Sequence, residues 1–90
     1  MHADPRPSPD VISQELDGEV VLVHLQTNRI FALNQTGARF WQLLESGHDR
    51  ARIREALASE FDVEHELLER EMEGLVDALA AEGLVTYAGE

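Results

Sequence analysis

The residues of this chain that could do chemistry are few and scattered. The four histidines, His2, His24, His48 and His65, are 22, 24 and 17 residues apart, which matches no compact metal-ligand motif, and they read as ordinary surface histidines. Ser8, Ser13, Ser46 and Ser59 stand in no recognisable arrangement with a histidine and an acid. There is no cysteine, which excludes disulfides, thiolate zinc sites and thiol nucleophiles. No glycine-rich phosphate-binding pattern occurs. Glu64, Glu66, Glu69, Glu71 and Glu73 form the densest run of titratable groups. A general acid needs a pocket that perturbs its pKa, and a solvated helix face supplies none. Neither an enzyme nor a metal or cofactor site is expected.

The elements that carry these residues follow from turn chemistry and periodicity. Pro5, Pro7 and Pro9 alternate with polar groups, so residues 1–9 are expected to form an extended, mobile arm, with order beginning near Asp10. Val11–Leu16 reads as a short strand and Asp17-Gly18 as a two-residue hairpin. Glu19–Leu25 is the most strongly apolar strand, Thr27-Asn28 turn the chain, and Arg29–Leu33 returns as a third strand. Such short loops predict an antiparallel meander.

Helical spacing takes over from there. Asn34 or Thr36 can cap a helix carrying Phe40, Trp41 and Leu44 that stops at Gly47. Asp49 suits the N-cap of a second helix with Ile53, Leu57 and Phe61. Asp62 or Glu64 starts a third, with an inner stripe of Leu68, Met72, Leu75, Val76 and Leu79, ending at Gly83. Leu84-Val85 should return to the core. The expected class is α+β, a three-stranded antiparallel sheet followed by three helices.

Composition bounds the function. Ninety residues make one domain, which buries roughly 60–65% of its unfolded surface on folding. The start has no signal-peptide pattern and no apolar run approaches a membrane span, so a cytoplasmic protein is expected. Eighteen acidic residues oppose seven arginines and no lysine, for a net charge of −11. That surface repels nucleic acid and anionic membranes. From Ser59 onward ten carboxylates face only Arg70, giving −9, against −2 for residues 1–58. This skew favours a cationic partner or simply maintains solubility.

The most distinctive segment is Ile30-Phe31-Ala32-Leu33-Asn34-Gln35-Thr36-Gly37-Ala38-Arg39-Phe40-Trp41-Gln42-Leu43-Leu44. It resembles the central motif of the PqqD-like proteins, where an aromatic-containing strand leads through Leu-Asn-x-Thr-Gly into an aromatic-Leu-Leu helix. Three further features match in register: the Asp17-Gly18 hairpin before a Val-rich strand, the Ile53/Leu57/Phe61 helix followed by Asp62-Val63, and a last helix ending Glu82-Gly83-Leu84-Val85. The likeness spans residues 11–86.

The resemblance implies a winged helix-turn-helix-like domain, here residues 10–90, that binds the leader of a ribosomally made precursor peptide. In such proteins the leader adds a strand to the third strand and lies against the third helix. On this chain the edge would be Arg29, Ile30, Phe31, Ala32 and Leu33, and the helix would contribute Leu67, Leu68, Glu71, Met72 and Leu75. Glu64 and Glu71 could pair with basic leader residues. Phe31, Leu33, Leu68 and Leu75 serve equally well as plain core, while Leu33-Asn34 and Thr36-Gly37 suit a structural turn.

The small size resembles the separate leader-recognition subunit of lasso-peptide pathways, whose expected partners are a transglutaminase-like leader peptidase and an ATP-dependent cyclase. The alternative is a PqqD-type peptide chaperone presenting its precursor to a radical-SAM or other modifying enzyme. A monomer or a weak homodimer is expected. Two rivals from other classes are a DNA-binding winged helix, which would need cations on its third helix where only Arg70 stands, and a bare docking scaffold with no affinity for peptides.

Overall fold

The computed structural model describes residues 5–87. The chain begins with a short strand β1 (Pro5–Pro7), followed by the meander β2 (Val11–Leu16), β3 (Glu19–His24) and β4 (Arg29–Leu33). Three helices come next, α1 (Gln35–Glu45), α2 (Arg50–Phe61) and α3 (His65–Ala81), and β5 (Val85–Tyr87) closes the chain. The expected three-stranded sheet and three helices are present. A second, two-stranded sheet of β1 and β5 joins them.

Asp17 and Gly18 both take positive φ, 52° and 83°, the twist that matches a tight antiparallel hairpin. The turn sets the register, with Leu16 opposite Glu19 and Ile12 opposite Val23. Asn28, at φ 59°, closes the next loop, and β4 pairs with β3 from His24–Arg29 to Val20–Leu33. Strand alternation then sorts the side chains. Val20, Leu22 and His24 point into the core, together with Phe31 and Leu33 from β4. Ile12, Val21, Val23, Ile30 and Ala32 lie on the opposite, open face.

Helix α1 covers the inner face with Phe40, Trp41 and Leu44, all buried. Asn34 is its N-cap: the Oδ1 accepts from the Gly37 amide at 2.9 Å. Asp49 caps α2 in the same way, accepting from Arg52 N at 2.9 Å. Glu64 precedes α3 without a side-chain cap, and Asp62 instead ends α2 in the left-handed conformation. Helices α1 and α3 both close with a glycine in that conformation. Gly83 N donates to Ala80 O and Leu84 N to Leu79 O, at 3.0 and 2.9 Å, the paired bonds of a glycine-terminated helix. This turn drives Leu84 and Val85 back into the core, as the sequence predicts.

Two expectations are corrected. The mobile arm begins, within the described residues, as a strand. Pro5–Pro7 pair antiparallel with Val85–Tyr87, and Ser8 N donates to Leu84 O at 3.0 Å. Proline at every second position removes donors along one edge only, leaving Arg6 and Ser8 to pair. Residues 1–4 of the expected arm lie outside the described residues. His24 is a buried residue, not a surface one. Its Nδ1 accepts from Gln26 N at 3.2 Å, and its ring lies where any side chain at position 83 would meet it.

Two outcomes test this account. Asn34→Ala should lower unfolding free energy by about 1 kcal/mol, read from urea titration with Trp41 fluorescence. Removing residues 1–9 should destabilise the domain by about 1–3 kcal/mol by uncovering the β5 edge and Val85, whereas loss of a mobile arm would leave the midpoint unchanged.

Candidate functional site

The sheet is three strands wide in the order β2-β3-β4, so β4 is an edge. A two-residue turn makes its closing pair, Leu16–Glu19, a hydrogen-bonded one, and antiparallel ladders alternate from that point. Val21 and Val23 therefore bond to β2, while Val20, Leu22 and His24 bond to β4. What remains outward on β4 is the main chain of Ile30 and Ala32. Among the described residues these amides and carbonyls have no strand partner, the arrangement that admits an added strand.

Beside this edge the helices leave a gap. β4 packs on α1, whereas α3 rests on α2 and β5. Between the start of α1 and α3 lies a cleft of about 400 Å³. Asn34, Thr36, Gly37 and Phe40 line it from the α1 side, Leu57 from α2, and Leu68, Glu71, Met72 and Leu75 from α3. Its base is apolar because Phe40, Leu57 and Leu68 are core residues. Its rim is polar, with Asn34, Thr36 and Glu71. At the far end of β4 the Arg29 guanidinium pairs with Glu82, just past α3, at 2.7 Å, and lies 5.2 Å from the centre of the Phe31 ring. The pair thus spans the gap between β4 and α3 opposite the cleft.

The expected site residues divide by orientation. Arg29, Phe31 and Leu33 point to the helix side of β4, and Leu68, Glu71, Met72 and Leu75 face the cleft. Leu33, Leu68 and Met72 are also buried, so they anchor the site as part of the core. Ile30 and Ala32 share the open face, on the other side of the sheet from the cleft, and Ile30 is 68% exposed. Leu67 on α3, 43% exposed, and Glu64 at its N-cap lie outside the cleft lining. The cleft also takes in Asn34, Thr36, Gly37, Phe40 and Leu57, which sequence reasoning gave to the turn and the core. The signal was present in the Leu-Asn-x-Thr-Gly motif. Gly37 permits the tight cap, since a Cβ there would stand 3.3 Å from Asn34 Oδ1.

A second cleft, of about 470 Å³, adjoins the first through Met72. Arg50 and Arg54 of α2 face Glu66, Glu69 and Glu73 of α3 across it, with Arg54 paired to Glu69. Opposite charges here join the two helices above their apolar seam. Elsewhere, Arg39 of α1 is tied to Glu60 of α2 at 2.9 Å, and that hydrogen bond raises the arginine's pKa above its ordinary value. Among the described residues no group of three or more histidine, aspartate or glutamate side chains could hold a metal ion, and no helix is long and apolar enough to cross a membrane. The arrangement suits the capture of an extended chain, with main-chain bonds from the edge and side-chain selection by the cleft.

Comparisons with known proteins identify the fold and the family. The solved structure of TbiB1 in complex with the TbiA(beta) leader peptide is similar to this chain at 38% identity, with a TM-score of 0.87 over 94% of this chain and 96% of that one. A lasso peptide synthetase B1 complexed with the leader peptide is similar at 31% identity, with a TM-score of 0.84 over 93% of this chain and 99% of that one. No curated protein matches significantly. The family model for PqqD, coenzyme PQQ synthesis protein D, matches residues 19–85. With that model matched over most of its length, the chain belongs to the PqqD family.

Proposed function

We propose that this protein is a non-catalytic recognition domain that binds the leader segment of a lasso-peptide precursor by strand addition at β4. The observation that carries the reading is the open edge of Ile30 and Ala32 beside a cleft with an apolar base and a polar rim. Two similar proteins whose structures contain a leader peptide, at 38% and 31% identity, support it. Main-chain pairing supplies affinity for almost any extended peptide, so discrimination falls to the side chains. Leader residues directed to the helix side meet Phe31, Leu33 and the cleft. Those directed to the other side meet Ile30 and Ala32 on the open face.

Electrostatics fit a leader with basic residues near α3. Glu64, at the N-cap of that helix, and Glu71 on it are both exposed, and Glu71 stands on the cleft rim. The same acidic surface disfavours a DNA-binding role for α3, because it repels a phosphate backbone. Chemistry then belongs to the partners, a transglutaminase-like leader peptidase and an ATP-dependent cyclase in the cytoplasm. By holding the leader, the domain raises the effective concentration of the precursor beside them.

Fluorescence polarisation with a labelled leader from the lasso precursor of the same biosynthetic cluster tests the reading. Saturable binding of the true leader, with no binding of a scrambled one, is expected. Absence of binding by a protein with native far-UV circular dichroism would overturn it. Ala32→Pro removes one outward N–H without breaking the β3–β4 ladder and should weaken the leader at least tenfold, about 1.4 kcal/mol. Leu67→Arg and Ile30→Glu should each weaken binding at least as much with the dichroism unchanged; normal affinity in both would move the groove elsewhere.

A further inference from the structure

The same ladder that frees Ile30 and Ala32 frees the opposite edge. Among the described residues β2 pairs only with β3, so the main chain of Ser13 and Glu15 faces outward. The two edges differ in what flanks them. Beside β4 stand Phe31, Leu33 and a cleft with an apolar base. Beside β2 the helix-side positions are Ser13 and Glu15, set against the end of α1: Ser13 Oγ donates to Glu45 at 3.0 Å, and Gln42 donates to Glu15. Asp17 and Glu19 add negative charge at the hairpin. On the open face the same strand carries Ile12 and Leu16, 54% and 52% exposed.

These facts select one kind of occupant. A carboxylate directed to the helix side of an edge strand opposes pairing with a second copy, which would bring acid against acid on a chain of net charge −11. A strand carrying cations at alternate positions instead meets Glu15 and Glu45. Apolar residues at its intervening positions meet Ile12 and Leu16. We propose that the β2 edge is a second strand-addition site, which accepts an extended cationic segment of a partner protein. It stands independently of leader binding, because it uses the other edge of the sheet.

The test uses the full chain, labelled with 15N, and a short capped peptide alternating arginine and valine; a peptide alternating glutamate and valine is the control. In heteronuclear correlation spectra the arginine peptide should shift the amides of Val11–Leu16 saturably, and the glutamate peptide should not. Ser13→Pro, which removes an outward N–H, and Glu15→Arg, which reverses the selecting charge, should each weaken binding about tenfold. Shifts confined to Arg29–Leu33, equal binding of both peptides, or no shift at all would overturn the proposal. Unchanged affinity in both variants would do the same. A failed leader titration at β4 leaves these readouts unaffected, so the two sites stand or fall separately.

Discussion

A sheet of three short strands cannot satisfy its own hydrogen bonds, and the rest of the molecule depends on how that deficit is distributed. The Asp17-Gly18 turn decides which residues bond inward at each position. Because ladders alternate, the turn also decides that Ile30 and Ala32 on one edge, and Ser13 and Glu15 on the other, remain available. An unpaired amide in water is tolerable, whereas one buried under a helix costs free energy comparable to a lost hydrogen bond. The helices therefore pack on one face of the sheet and leave both edges open. α1 takes the inner face with Phe40 and Trp41, and α3 stands off β4.

That packing turns a structural residue set into a site. Leu68 and Met72 are buried in the core and also line the cleft, so their side chains are held by core neighbours. Phe40 and Leu57 contribute in the same way. The Asn34 cap fixes the start of α1 and with it one wall of the cleft. The proposed leader binding and the stability of the fold thus draw on the same side chains. Substitutions within the cleft lining therefore perturb the fold as well as the proposed recognition, while Leu67 and Ile30, being exposed, can be changed with little cost to the core.

The two edges also illustrate how one small sheet discriminates. Main-chain pairing is nearly indifferent to sequence, so selection is carried by the neighbouring side chains. In the two proposed modes, apolar groups beside β4 suit apolar leader residues, and carboxylates beside β2 disfavour acids.

Local chemistry in the sequence determined the element order. Positive φ at Asp17-Gly18 is tolerated by few residues, and the alternation of β3, the spacing of Leu68, Met72, Val76 and Leu79, and the caps at Asp49 and Gly83 depend only on near neighbours. The Leu-Asn-x-Thr-Gly segment likewise marked family and edge strand. Tertiary structure alone decided what rests on distant contacts. Pro5–Pro7 become a strand because Val85–Tyr87 arrive beside them, some eighty residues later. His24 is buried because the Gly83 turn closes over it. Ile30 and Leu67 fall outside the cleft, while Asn34, Thr36, Phe40 and Leu57 fall within it, since a cleft forms from the gap between elements and no single element encodes that gap.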